Sequence, residues 1–157
     1  MNEKTYIYSF ARTPIGSFNG SLKSITAPRL GAVVIKSILG KSNINNDEVD
    51  EVIMGNVLST GVGQAPARQA SIYAGLSYST NCMTVNKVCG SGLKSIMLAD
   101  QSLRLGDSKI IIAGGMENMS QAPHYLLNSR SGLTYGDAKF KDSIINDGLY
   151  DPYNEIL

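Results

Sequence analysis

Histidine, cysteine and net charge are all scarce in this chain. It has one histidine, His124, and two cysteines, Cys82 and Cys89, among 157 residues. The cysteine spacing matches no zinc pattern, and one histidine with no close acid cluster does not make a metal site. A disulfide between the two thiols is not expected in a reducing cytoplasm. Lysine and arginine number 14 against 13 acidic residues, a net charge of +1. No basic run is present to hold nucleic acid, and no acidic run to form a tail. No apolar stretch reaches the ~18 residues that span a bilayer. Met1-Asn2-Glu3-Lys4 lacks the features of a signal peptide, and no Arg-rich transit segment follows. The expectation is a cytoplasmic protein with no membrane and no nucleic-acid partner.

The residues that are there alternate between two periodicities. Tyr6 to Ala11 alternates apolar and polar and predicts a first strand. Arg12 to Ser24 reads as a loop. Thr26 and Pro28 suit the start of a helix running to about Leu39, with Gly40 as its stop and Leu30, Val33, Val34 and Ile38 on one face. Glu51 to Val57 predicts a second strand, and Pro66 to Gly75 a second helix. Thr84 to Val88 predicts a short third strand, Ser91 to Leu105 a third helix stopped by Gly106, and Lys109 to Ala113 a fourth strand. The third helix is apolar around much of its circumference, the pattern of a buried helix. The order β-α-β-α-β-α-β predicts an α/β fold: a mixed, mostly parallel sheet with helices on both faces. Beyond about Asn118 the regularity is lost. Residues 119–157 read as the start of a loop domain, with short helix around Ser143 to Asn146, after an α/β domain over 1–118.

Cys89 is the most informative residue. In Thr84-Val85-Asn86-Lys87-Val88-Cys89-Gly90-Ser91-Gly92 a β-like run ends at a cysteine, and a helical pattern begins after it. A thiol at a helix N-terminus sits in a partial positive charge that stabilises a thiolate. Gly90 and Gly92 leave backbone N–H groups uncrowded, so a substrate oxygen can approach them. This local pattern fits a cysteine nucleophile with part of an oxyanion hole. It fits a buried structural cysteine beside a tight turn equally well. Cys82, on the approach to the same strand, reads as a packing residue.

Asn86-Lys87-Val88-Cys89-Gly90-Ser91-Gly92 closely resembles the nucleophile motif of biosynthetic thiolases. Four further stretches resemble the same family in the same order. They are Arg12-Thr13-Pro14-Ile15-Gly16; Gly55-Asn56-Val57-Leu58 with Gly63-Gln64-Ala65-Pro66-Ala67-Arg68-Gln69; Ala113-Gly114-Gly115-Met116-Glu117-Asn118-Met119-Ser120; and Asp142-Ser143 through Asp147-Gly148-Leu149. The likeness covers the N-terminal portion of a thiolase only. It implies an acetyl-CoA C-acetyltransferase, which condenses two acetyl-CoA to acetoacetyl-CoA through an acetyl-cysteine and runs the reverse thiolysis. Coenzyme A thioesters are then the substrates, no separate cofactor is needed, and the parent is a homodimer or homotetramer. Cys89 becomes the nucleophile, with its backbone N–H in an oxyanion hole. Asn86, Gly90, Gly92, Glu117 and Asn118 become supports, the last two for the Cys89 helix. Leu149 lines the coenzyme A pocket.

In that family a histidine in a Gly-His-Pro stretch, a second cysteine in a Cys-x-Gly stretch and an oxyanion-hole asparagine come from a C-terminal half. None of these stretches occurs in this chain, so alone it is expected to be inactive and to expose an apolar face of its third helix. Leu157 also stands where the family has the histidine of a His-Met-Gly segment. Three rival readings remain: a ketosynthase-like condensing enzyme, a non-catalytic domain that binds a partner, and a hydrolase pairing Cys89 with His124. Gly61-Val62-Gly63-Gln64-Ala65-Pro66 begins like a dinucleotide fingerprint, but Pro66 stands where its third glycine belongs. Arg12, Arg68 and Lys87 are cations inside motifs. Arg68 and Lys87 are candidates for coenzyme A phosphates, with ion pairing the plainer expectation.

Overall fold

A computed structural model describes residues 4–157. Met1–Glu3, part of the stretch read above as lacking a leader, lie outside the described residues. The main elements are α1 (Ala27–Lys41), β1 (Glu51–Gly55), α2 (Pro66–Ala74), β2 (Asn81–Val85), α3 (Ser91–Leu105) and β3 (Ile111–Gly115). A two-residue hairpin pair follows, β4 (His124–Tyr125) and β5 (Lys141–Asp142), and then a π-helical stretch, Ile144–Leu149.

The three longer strands form one parallel sheet in the order β2-β1-β3. Side chains alternate across it. Val52 and Met54 point into a core with Ala27, Ala32 and Ile35 of α1 and Ala67, Ala70 and Ala74 of α2. Gly55, on the opposite face with Ile53, meets the start of α3. The α/β class, the parallel sheet and the helices on both faces therefore stand as the sequence implied.

Several boundaries differ from the sequence reading. Tyr6 to Ala11 forms no strand. Tyr6, Ile7, Tyr8 and Phe10 are all exposed, because no described strand lies beside the segment to receive its backbone hydrogen bonds. The strand placed at Thr84 to Val88 lies earlier, at Asn81–Val85, because the chain turns sharply at Val88. Glycine 40 does not stop α1, which runs through it to Lys41, and Thr26 occupies the N-cap position without a capping side-chain bond. The inward face of α1 is also different: Ala27, Gly31, Ala32 and Ile35 are buried while Val33 is exposed. A Cβ on Gly31 would come within 2.7 Å of Met116 Sδ and 3.3 Å of Ala70 Cβ, so small residues are what let α1 lie close on α2. α3 spans the predicted residues and stops at Gly106, whose φ of 79° is costly for any residue with a side chain. Its buried residues are only Ser91, Ser95 and Ala99, and Leu93, Ile96 and Met97 face outward.

Candidate active site

The C-terminal ends of β1, β2 and β3 open into a cleft of about 430 Å³, the position where parallel α/β sheets place their ligands. Each strand sends one segment to its wall. β1 continues into Asn56, Val57 and Leu58; β2 turns through Val88 and Cys89 into α3; β3 continues into Met116, Glu117 and Met119. Ile144, Gly148 and Leu149 of the π-helical stretch close the remaining side. Of the expected site residues, Cys89, Gly92, Glu117 and Leu149 line this cleft together. Gly90, Asn86 and Asn118 do not line it.

Glycine explains how α3 reaches the sheet. A Cβ at Gly55 would fall 2.6 Å from the Ser91 backbone carbon and 2.7 Å from Gly92 N, and a Cβ at Gly115 would fall 3.3 Å from Gly92 Cα. The first turn of α3 thus lies directly on the bare ends of β1 and β3. Gly92 is a contact between helix and sheet as well as a lining residue. Gly90 has an ordinary φ of −87°. Ser95 fastens the same joint, its hydroxyl lying 2.7 Å from the Gly114 carbonyl and 2.6 Å from that of Gly92.

The Cys89 thiol is exposed at the start of α3. Val88, immediately before it, has φ 47°, a left-handed conformation that is a true outlier for a β-branched side chain. Asn86 Oδ1 accepts from Val88 N at 3.0 Å. The Ser91 hydroxyl accepts from Lys87 N at 2.8 Å and donates to Val88 O at 2.6 Å.

Glu117 supports a different element from the one expected. Its carboxylate accepts from Asn56 Nδ2 at 2.7 Å, from Val57 N at 2.8 Å and from Leu58 N at 3.3 Å, so it holds the wall after β1 rather than the Cys89 helix. Burial pushes its carboxyl above the ordinary range, and the three donors only partly offset that. Asn118 likewise turns away from α3. Its Nδ2 donates to the carbonyls of Leu22, Lys23 and Ile25, which ties down the loop before α1. The reason is topological. Residues leaving the end of β3 meet the segments beside them, the β1 extension on one side and the pre-α1 loop on the other.

The remaining candidates fall outside the cleft lining. His124 is exposed on β4, where its Nε2 lies 3.9 Å from Asp142 Oδ2 across the hairpin. The Cys89–His124 pairing therefore gains no support. Among the described residues Arg68 makes no ion pair. Its guanidinium donates to the Tyr78 and Thr80 carbonyls at 2.9 and 3.3 Å and fixes the turn before β2. Arg12 donates to the Thr13 carbonyl at 2.8 Å. Cys82 is half-buried against the core, as a packing residue should be. Gly61 and Gly63 form a turn closed by Gln69, which donates to the Val62 and Gln64 carbonyls. Asn56, Leu58 and Ser91 are site residues to which sequence reading gave no role. Asn56 and Leu58 lay inside a quoted motif, and Ser91 stood two residues after the thiol.

Among the described residues, Cys89 and Glu117 are the only titratable side chains in the lining. Glu117 is committed to three hydrogen bonds, so the cleft offers an accessible thiol with no free base among its own lining groups. It can hold a covalent adduct on sulfur but has little means of its own to move the accompanying proton.

Comparison with known proteins identifies this arrangement. The family model described as thiolase, N-terminal domain, matches residues 5–157. Acetyl-CoA acetyltransferase of Cupriavidus necator is 56% identical over 149 residues, covering 95% of this chain and 38% of that protein. A mitochondrial acetyl-CoA acetyltransferase of Aspergillus fumigatus is 53% identical over 153 residues, covering 98% of this chain and 35% of that one. The crystal structure of the Ascaris suum Acat5 thiolase in complex with coenzyme A superposes with a TM-score of 0.91 at 40% identity, over 96% of this chain and 39% of that one. The chain thus spans little more than a third of the length of the relatives it matches. Over that span the match is nearly end to end, and the chain belongs to the thiolase family as its N-terminal domain.

Proposed function

We propose that the protein carrying this chain is an acetyl-CoA C-acetyltransferase. The observation that supports this most is the exposed Cys89 thiol at the start of α3, lining the cleft at the C-terminal ends of three parallel strands. In this reading the Cys89 sulfur attacks the carbonyl carbon of one acetyl-CoA, the thioester C–S bond breaks, and coenzyme A leaves with the thiol proton. A second acetyl-CoA loses an α-proton to a base outside this chain. The resulting carbanion attacks the acetyl-cysteine, giving acetoacetyl-CoA and the free Cys89. The Cys89 backbone N–H donates to the oxyanion at the acyl carbon, where the partial positive charge of the helix start adds to it.

Leu149, at one side of the cleft, is proposed to contact the coenzyme A portion, in keeping with the coenzyme A complex of the Ascaris relative. Glu117 supports catalysis indirectly, by holding the Asn56–Leu58 wall. The parent is proposed to be a homodimer or homotetramer. With no free base in the lining, the chain alone is expected to turn over little or no acetyl-CoA.

The deciding experiment is an intact mass of the native protein before and after incubation with acetyl-CoA. One acetyl group gained, mapped to Cys89 and lost in Cys89→Ser, is the expected result. No acetyl gained by a protein whose mass matches 157 residues would give precedence to a non-catalytic, partner-binding domain. The outward-facing Leu93, Ile96 and Met97 of α3 are the observation behind that second reading.

A further inference from the structure

Every backbone polar group of the two residues before Cys89 is tied down. Lys87 N donates to Ser91 Oγ at 2.8 Å, and Lys87 O accepts from Gly90 N at 3.0 Å. Val88 N donates to Asn86 Oδ1 at 3.0 Å. Val88 O accepts from both Ser91 N, at 3.1 Å, and Ser91 Oγ, at 2.6 Å. One hydroxyl thus serves two of the four groups, and Ser91 as a whole is only 5% exposed. The segment it holds is the strained one. Valine at φ 47° sets its branched Cβ against its own backbone, and such a conformation persists only where the surroundings over-determine it.

This strain sits one residue before the thiol and sets the course of the chain into α3. If Val88 relaxed to an extended φ, the strand would continue past Val85 and Cys89 would leave the helix start. Ser91 is itself packed tightly, since it and Gly92 lie against the bare end of β1 at Gly55.

We propose that Ser91 is a positioning residue. Its hydroxyl latches Lys87 and Val88 in the left-handed turn and so fixes the direction in which the Cys89 thiol enters the cleft. The proposal rests on Cys89 being the reacting group. Ser91 touches no substrate in this role and acts only through the turn. The role differs from helix capping, because both side-chain bonds go backwards to the turn.

The test is the alkylation rate of Cys89 by iodoacetamide in the native chain, read peptide by peptide by mass spectrometry with Cys82 as the internal reference. Ser91→Ala should slow Cys89 roughly tenfold and leave Cys82 unchanged, since small misplacements of a reacting group carry large rate penalties. Glycine adopts φ 47° without help. Adding Val88→Gly to Ser91→Ala should therefore recover most of the lost rate, which simple loss of packing around Ser91 would not allow. A Cys89 rate within twofold of wild type in Ser91→Ala, or no recovery in the double variant, overturns the latch. If Ser91→Ala fails to fold, Asn86→Ala removes the other side-chain bond to Val88. It must then slow Cys89 and be rescued by Val88→Gly, or the latch is again overturned. A wild-type Cys89 that reacts no faster than Cys82 would instead overturn the nucleophile reading itself, a result distinct from the other two.

Discussion

On one face of the sheet, Val52 and Met54 are 0% and 3% exposed beneath α1 and α2, and Ile35 above them is 1% exposed. On the other face Ile53 is equally buried beneath α3, yet Leu93, Ile96 and Met97 on the outside of α3 are 65%, 47% and 50% exposed. The first face is finished by small residues that let two helices pack side by side. The second is finished only as far as one helix, and that helix carries apolar residues on both sides. An element apolar nearly all round belongs to a middle layer. The two faces therefore differ: the first is closed by α1 and α2, and the second leaves apolar side chains of α3 exposed.

The largest effect should come from opening the closed face. Ile35→Ala removes a side chain buried between α1 and the sheet and should cost about 2–5 kcal/mol, read from the midpoint of denaturant unfolding. A cost under about 1 kcal/mol would mean that this face is no better packed than the other. Gly55→Ala comes next and probes the inner side of α3. Its new Cβ meets Ser91 and Gly92 backbone, which cannot rotate away, so about 1–3 kcal/mol should be lost. Gly31→Ala on the closed face should cost less, because the nearest atom is in the flexible Met116 side chain.

Most of this architecture was legible in the sequence, and the failures have physical causes. α2 was legible because proline at its start and glycine past its end are local signals, and α3 because its apolar run ends at Gly106. The small-residue face of α1 was not, since Ala27, Gly31 and Ala32 carry little hydrophobic signal and matter only once α2 lies against them. Tyr6 to Ala11 has the alternation of a strand, but a strand also needs a neighbour, which alternation cannot supply. Thr84 to Val88 reads as strand because valine favours it, whereas Val88 is held in the opposite conformation by bonds from Asn86 and Ser91. In the site, Cys89 and Leu149 were legible as motif residues. The partners of Glu117 lie 59 to 61 positions away, so its bonds to Asn56, Val57 and Leu58 leave no trace in local spacing.

The same comparison can be made between the two ends of the sheet through pH. Asp50 lies just before β1, where its carboxylate accepts from Lys109 N at 2.7 Å and Ile110 N at 3.0 Å. Those bonds hold its carboxyl below the ordinary range. Its contribution to stability is therefore present above the unfolded-state value and is lost as pH falls through the lowered one. Asp50→Asn should lower stability at neutral pH by a small amount, reduced by solvent screening of this exposed group, and have little effect in strong acid. Glu117, at the other end, is raised by burial. Its contribution is complete below the unfolded-state value and is lost as pH rises through the raised one. The advantage of wild type over Glu117→Gln should accordingly be greatest in acid and shrink toward neutrality, the reverse of Asp50. Parallel trends in the two variants would contradict the burial argument for Glu117.

The smallest effect on stability should come from the open face, and its smallness is what makes it informative. Leu93→Ser, Ile96→Ser and Met97→Ser, made singly, remove side chains that are 47% to 65% exposed and should each change unfolding free energy by no more than about 0.5 kcal/mol. Their effect should appear instead in association. A contiguous apolar patch of this kind drives isolated chains together, so sedimentation or light scattering of the chain should show self-association that falls stepwise with each substitution. A chain that stays monomeric at high concentration with Leu93, Ile96 and Met97 intact would break the comparison, because α3 would then need no cover. Self-association that disappears while the unfolding midpoint stays put would sharpen it, by separating the face that folds this chain from the face that joins it to something else.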